Sequence, residues 1–256
     1  MTELSTATSL EGRVAIITGA SRGIGRAIAI AYAQAGARVA LVARSEQALA
    51  EVAELADPTG ERVLSIVADV QDPEAGAAIV ARTLEAFGSI DVLVNNAGVH
   101  YETPLLESSA EDWFTILDVN LVSVVNLTRH VGRELVRQGA GTVINVTSSW
   151  ATKAIPRHSA YVTSKAALAH FTRSLAREWA RHGVTVNALA PGYFATEITR
   201  QGLDDPDTAR HILSAIPQRR VAEPEEIGPL AVFLASEAAS YVTGASYAID
   251  GGMEIG

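Results

Sequence analysis

Apolar runs of four to six residues alternate with amphipathic stretches along almost the whole chain. The runs predict strands at 14–18, 39–43, 63–67, 92–95, 141–146, 185–189 and 246–249, several of them apolar on both sides of the pleat. Helical spacing between them predicts helices over 24–35, 46–56, 73–87, 109–138, 158–182 and 224–235. Strands that are apolar on both faces, alternating with helices, specify a doubly wound parallel sheet covered on both sides. The fold class is therefore α/β, one seven-stranded domain over residues 1–256. Residues 1–10, rich in Ser and Thr, are expected to be a loose tail. Residues 192–222 form a long connection carrying Asp204, Asp205, Pro206 and Pro217. It reads as a substrate lid or, alternatively, as a surface insertion.

Composition narrows the field. Of 256 residues 48% are apolar, enough for a large core, and the net charge of −9 argues against a nucleic-acid or anionic-membrane surface. The chain has no cysteine, which removes disulfides, thiolate nucleophiles and zinc thiolate sites and fits a reducing cytosol. Residues 1–12 lack a basic segment followed by an apolar one, and no apolar run reaches the roughly 18 residues of a membrane span. The expectation is a soluble, cytoplasmic protein. No His or carboxylate cluster has ligand spacing, so no metal is expected.

Two local patterns carry chemistry. Tyr161 and Lys165 lie four residues apart in a predicted helix and share a face. An ammonium beside a phenol, whose free pKa is about 10, favours the phenolate. Ser148, at the end of an apolar strand, offers a hydroxyl to hold a substrate oxygen beside that phenol. Near the N-terminus the run at 14–17 stops at Thr18-Gly-Ala-Ser-Arg-Gly-Ile-Gly25 and a helical pattern follows. Strand, glycine turn and helix set phosphate-binding N–H groups at a helix N-terminus, although Gly19, Gly23 and Gly25 do not have G-x-G-x-x-G spacing.

Together with Asn95-Asn-Ala-Gly98, Asn120 and Pro191-Gly192, these motifs occur in the order of the classical short-chain dehydrogenase/reductase family, which the chain resembles from about residue 13 onward. The resemblance implies a Rossmann fold and hydride transfer between a nicotinamide and a ketone or secondary alcohol. Tyr161 would be the proton donor and Ser148 would hold the carbonyl oxygen. Lys165 would lower the tyrosine pKa and bind the nicotinamide ribose, and Asn120 would hold a proton-relay water. Cofactor contacts are implied at Thr18, Gly19, Ser21, Arg22, Gly23, Ile24, Gly25, Arg44, Asp69, Val70, Asn96, Ala97, Gly98, Pro191, Gly192 and Thr196, with Tyr161 and Lys165. Asn95 would help shape the strand-four turn. The second strand ends in Arg44-Ser45 where an NAD site carries an acid, and Arg22 offers a second guanidinium. Together they point to NADP(H), the alternative being NAD(H) with Glu46 on the ribose.

The substrate is less legible. Ser148, Trp150, Ile155, Tyr161, Tyr193 and Phe194 are the expected pocket, with His100 and Tyr101 flanking it. His158 reads as a helix-start residue rather than a base. Within the family the motifs resemble both 3-oxoacyl-[acyl-carrier-protein] reductases and gluconate 5-dehydrogenases. Asn126 stands where the former tend to carry an Arg, and with the acidic surface this favours a small ketone or sugar-type substrate over a carrier-bound acyl chain. A reading of another class is a non-catalytic dinucleotide sensor or scaffold. The long helices resemble the family's dimer faces, which implies a homotetramer or homodimer.

Overall fold

Residue by residue, β1 (Val14–Thr18) shows how the sheet is built. All five residues are buried, and successive side chains enter opposite cores, Ala15 and Ile17 on one side and Ile16 on the other. Fully burying an Ile contributes about 1.5–3 kcal/mol, so this strand anchors both layers. In this computed structural model, which describes residues 7–255, the other strands are β2 (Arg38–Ala43), β3 (Val63–Val67), β4 (Val92–Asn95), β5 (Gly141–Val146), β6 (Val184–Pro191) and β7 (Ser246–Ile249). All pair in parallel, in the order β3-β2-β1-β4-β5-β6-β7. The chain winds outward from β1 to β3, then returns to β4 on the other side of β1. The break between β1 and β4 leaves a crevice at the carboxyl ends of the strands, where α/β sheets bind ligands.

The helices are α1 (Gly23–Gln34), α2 (Glu46–Ala56), α3 (Ala75–Phe87), α4 (Ala110–Leu117), α5 (Ser123–Gln138), α6 (Ser159–Trp179), α7 (Glu197–Leu203), α8 (Pro206–Ala215) and α9 (Gly228–Ala235). On one face Ile28 and Tyr32 of α1 pack with Leu234 of α9; on the other Ile79 of α3, Leu127 and Val131 of α5 and Leu175 of α6 form the second core.

Three expectations change. The stretch 109–138 is not one helix: a π turn at Asp118–Val122 separates α4 from α5. The connection at 192–222 holds α7 and α8. Asp205 caps α8 by accepting from Thr208 N at 2.8 Å and Pro206 takes its first turn, so residues that read as breakers are start signals. The base of this excursion is closed where Ala195 N donates to Ala222 O and Ala222 N to Tyr193 O. Of the expected tail, residues 1–6 lie outside the described residues, and Leu10 is fully buried, with its N–H bonded to Ala35 O. Among the described residues no helix is long and apolar enough to cross a membrane.

Candidate active site

Each element of the site ends at the carboxyl edge of the sheet. Just past β5, Thr147 donates through N and Oγ1 to Leu189 O of β6, which sets Ser148 on the rim. Ser148 caps the following turn by accepting from Trp150 N at 3.1 Å, and its hydroxyl favours the ionised form of the Tyr161 phenol. Tyr161 stands in the first turn of α6, and Lys165 one turn later donates to Val146 O at 2.8 Å. The Lys165 ammonium lies 5.8 Å from the Tyr161 ring centroid. Asn120 is fully buried on the π turn. It accepts from Val99 N at 2.8 Å and donates to Val99 O at 2.9 Å and Ser164 Oγ at 3.1 Å. Its side chain thus fastens the strand-four turn to α6. π turns concentrate at functional sites because they redirect a side chain that a regular helix would leave elsewhere.

Electrostatics depart from the expectation for the Tyr–Lys pair. Burial pushes the Tyr161 phenol above its ordinary value, opposed only by the Ser148 hydroxyl, and the same burial brings Lys165 down to about 8. In this geometry Lys165 does not pull the phenol down. Its ammonium is spent on the Val146 carbonyl and is itself disfavoured by desolvation. The phenol consequently holds its proton.

The crevice between β1 and β4 opens into a cavity of about 1140 Å³ lined by Gly19, Ser21, Arg22, Gly23, Ile24, Gly25, Arg44, Asp69, Val70, Asn96, Ala97, Gly98 and Thr196. The dinucleotide implied by the family fits these residues. Helix α1 starts on the cavity wall, its N-cap Arg22 supplies no side-chain acceptor, and no acid lies in its first turn, leaving the leading N–H groups for an anion. A Cβ at Gly25 would collide with Gly19 O and Asn96 Nδ2, and Gly19 sits at φ +65° with Asn96 Nδ2 2.8 Å from where its Cβ would be. Glycine at both positions lets the two turns touch.

Arg22 and Arg44 both border the cavity, each beside an acid: Arg22 Nη1 is 2.7 Å from Glu197, and Arg44 Nη1 is 4.0 Å from Asp69. All four side chains are well exposed, so these pairs are weak enough for a phosphate to displace. Five expected contacts are not part of the cavity lining: Tyr161 and Lys165, placed above, and Thr18, Pro191 and Gly192. Thr18 Oγ1 accepts from Asn96 N and Ala97 N, both at 3.0 Å, and is a strut under the turn. Pro191 ends β6, and Gly192 leaves room for Asp250, whose Cα is 2.7 Å from where a Cβ would be. Asn95 is likewise interior: it donates to Asn145 Oδ1 and Thr128 Oγ1, tying β4 to β5 and α5 instead of facing the crevice.

On the substrate side Trp150 meets Tyr161 at 6.3 Å and Tyr193 at 5.9 Å, both edge-on. Ile155 is half-buried in the loop before α6. Phe194 does not line this pocket: it is 2% exposed and packs in the core around α1, because its backbone bridges to Ala222 and turns the ring inward. The sequence named His100 as a pocket flank and His158 as a helix-start residue, but not that the two form a pair. His100 Nε2 and His158 Nδ1 are 2.8 Å apart, with the rings stacked at 4.8 Å and His100 4.7 Å from Tyr161. Fifty-eight residues separate the two, and no local pattern announces them. Among the described residues no group of three or more His, Asp or Glu could hold a metal.

The family model described as enoyl-(acyl carrier protein) reductase matches residues 19–254. The chain is 39% identical over 245 residues to the 2-dehydro-3-deoxy-D-gluconate 5-dehydrogenase of Dickeya dadantii, covering 95% of this chain and 96% of that protein. It is 40% identical over 249 residues to the 3-oxoacyl-[acyl-carrier-protein] reductase of Synechocystis, covering 96% and 98%. Among solved structures it resembles a gluconate 5-dehydrogenase from Burkholderia cenocepacia in complex with NADP and tartrate, with a TM-score of 0.94, 34% identity and coverage of 99% and 100%. With a family model over residues 19–254 and relatives at 39–40% identity over 95% or more of its length, the chain belongs to the short-chain dehydrogenase/reductase family of oxidoreductases.

Proposed function

We propose that the protein is an NADP(H)-dependent oxidoreductase that interconverts a small or sugar-type ketone and its secondary alcohol. The observation that carries this reading is Lys165, buried one turn behind Tyr161 and bonded to Val146 O, with its Nζ 3.6 Å from where a Cβ on Gly98 of the cavity lining would be. Nicotinamide, when bound, supplies or accepts the hydride. The chain supplies the rest. Ser148 holds the carbonyl oxygen beside the phenol, and Tyr161 passes its proton to that oxygen as negative charge builds there. Lys165 and Asn120, joined through the Val99 turn and α6, keep the phenol's surroundings fixed and connected to a proton source. Arg22 and Arg44 would take the 2′-phosphate in charge-assisted bonds in place of their present acidic neighbours.

A second reading, reduction of a 3-oxoacyl thioester on an acidic carrier, is supported by the Synechocystis relative and by exposed Arg129, Arg133 and Arg177 on α5 and α6. The net charge of −9 and the aromatic rim of Trp150 and Tyr193 favour the small ketone. The deciding experiment follows cofactor absorbance with ketones, sugar-derived ketones and a carrier-bound 3-oxoacyl thioester at low and moderate salt. A carrier substrate that wins by about tenfold or more, and loses that lead as salt screens it, overturns the small-ketone reading. Assembly as a homotetramer or homodimer through the α5 and α6 faces is part of the proposal. It draws support from Phe114 and Val122, 61% and 55% exposed on the segment leading into α5.

A further inference from the structure

We propose that the Arg22–Glu197 ion pair makes a 2′-phosphate on the dinucleotide and the anchored position of α7 compete for one guanidinium. Glu197 thereby limits the preference for NADP(H), and NADP(H) loosens α7. The inference rests on the NADP(H) reading above and adds to Arg22 and Arg44 a determinant of opposite sign.

The pair joins two parts of the site that lie 175 residues apart in the chain. Arg22 is the N-cap of α1 in the glycine turn, and Glu197 is the first residue of α7. The two turns meet there: Thr196 Cγ2 is 3.1 Å from where a Cβ on Gly23 would be, and Arg22 Nη1 donates to Glu197 Oε2 at 2.7 Å. Both residues line the cavity, and Arg22 has no other ion pair among the described residues. At the far end of α7, Leu203 packs on Ile212, Ile216 and Met253, the cluster that also carries Trp150 and Tyr193. Helix α7 therefore runs from the phosphate-binding turn to the aromatic rim of the substrate side.

Charge decides what the pair does. A phosphate monoester carries up to about two negative charges against one on a carboxylate. Holding both on one guanidinium would set like charges side by side, so the phosphate takes Arg22 at the expense of Glu197. Arg44 presents a smaller obstacle, since Asp69 lies 4.0 Å from it, beyond hydrogen-bond reach. The Arg22 and Glu197 side chains are 75% and 65% exposed, which limits the pair to a factor of about five in an equilibrium constant. Linkage is reciprocal: what Glu197 subtracts from binding of the 2′-phosphate, the 2′-phosphate subtracts from the anchoring of α7. NADH lacks that phosphate and leaves the pair intact. Arg200, 3.7 Å from Glu223, and the Leu203 contacts still hold α7 when the pair opens, so the change is a loosening of its first turn.

The test titrates the purified protein calorimetrically with NADPH and with NADH, and follows hydrogen exchange over residues 197–203 at saturation with each. Glu197→Gln should raise the NADPH:NADH affinity ratio about two- to fivefold, and the gain should vanish in an Arg22→Gln background. Glu225→Gln removes a carboxylate from the same cavity wall, one with which Arg22 forms no pair, and should raise the ratio less. In the wild type residues 197–203 should exchange faster with NADPH bound than with NADH bound, and in Glu197→Gln they should exchange equally fast with both. An equal gain for both cofactors would make Glu197 only a helix-end residue. A gain that survives Arg22→Gln, or that Glu225→Gln matches, would make it only a background charge, and a fall in the ratio would mean that Glu197 steers Arg22 onto the phosphate. Each of these overturns the proposal, as does equal exchange of α7 in the wild type under the two cofactors. A wild-type ratio near one that Arg22→Gln leaves unchanged brings down the NADP(H) reading itself; a wild-type preference for NADPH that Glu197→Gln leaves unchanged removes this proposal alone.

Discussion

Removing one oxygen from Tyr161 separates proton donation from everything else the residue does. In Tyr161→Phe the ring keeps its edge contacts with His100 at 4.7 Å and Trp150 at 6.3 Å, and Lys165 keeps its bond to Val146 O. Ser148 keeps the Trp150 N–H at 3.1 Å, so it is not orphaned and the fold should lose no more than about 1 kcal/mol. The reaction loses its acid. Because burial keeps the phenol protonated, Tyr161 enters carbonyl reduction already loaded. General acid catalysis contributes roughly 10² to 10⁴ in rate, which is about 3 to 5.5 kcal/mol of barrier. The assay is single-wavelength cofactor oxidation at saturating ketone, paired with a cofactor-binding titration and a thermal melt on the same sample. Turnover should fall at least a hundredfold while cofactor affinity stays within a few-fold. A loss of turnover smaller than tenfold would refute the assignment of Tyr161 as the acid. The raised phenol also fixes a pH sign: alcohol oxidation, which needs the phenolate, should climb as pH rises above neutral, whereas reduction should not.

Cofactor choice depends on Arg44 and Arg22, and the unmodified enzyme should prefer NADPH to NADH by at least about tenfold, or 1.4 kcal/mol; Arg44→Asp should reverse much of that, and equal efficiency with both cofactors in the wild type would sink the assignment. Lys165 has a folded pKa of about 8 against an ordinary 10.5, so below pH 8 its charge in the fold is a full penalty that disappears as pH rises toward 10.5. Lys165→Met should therefore be nearly inactive yet no less stable than wild type at pH 7. Urea titrations at successive pH values should show wild type gaining on the variant above pH 8, by at most about 3 kcal/mol in total; a wild type that loses ground to the variant as pH rises contradicts the buried-ammonium account. Phe194→Ala tests the placement of that ring in the core: a loss of about 3–5 kcal/mol in unfolding free energy is expected, and an unchanged melt would return Phe194 to the pocket rim.

Strand positions were legible because a sheet covered on both faces needs apolar residues at every position, and β1, β4 and β5 supply uninterrupted buried runs. The glycine turn was legible for a related reason, since only glycines allow the backbone approach found at Gly19 and Gly25. Periodicity could not reveal the break at Asp118–Val122, because the apolar positions on either side each keep helical spacing. Nor did it reveal α7 and α8: Asp205 and Pro206 are common both in loops and at helix starts, and only Asp205's bond to Thr208 N distinguishes the two. Spacing placed Tyr161 and Lys165 on one helical face, as found, but it carries charge and not solvation, and burial raises the phenol where the ammonium was expected to lower it. The His100–His158 contact depends on how the strand-four turn meets the start of α6, a property of the assembled fold.

The π turn has an arithmetic consequence for the length of this segment. Each residue of a regular helix advances it by about 100°, so the surplus residue in Asp118–Val122 sets the angular offset between the inward Ile116 of α4 and the inward Val124, Leu127, Val131 and Leu135 of α5. Deleting any one residue of the five would yield an unbroken helix of better local geometry. It would also turn either the α5 seam out of the core or Asn120 away from Val99 and Ser164. Helical regularity and the site are thus alternatives at this place in the chain. Substitutions at positions other than Asn120 can be absorbed here one side chain at a time, but a change of length by a single codon cannot.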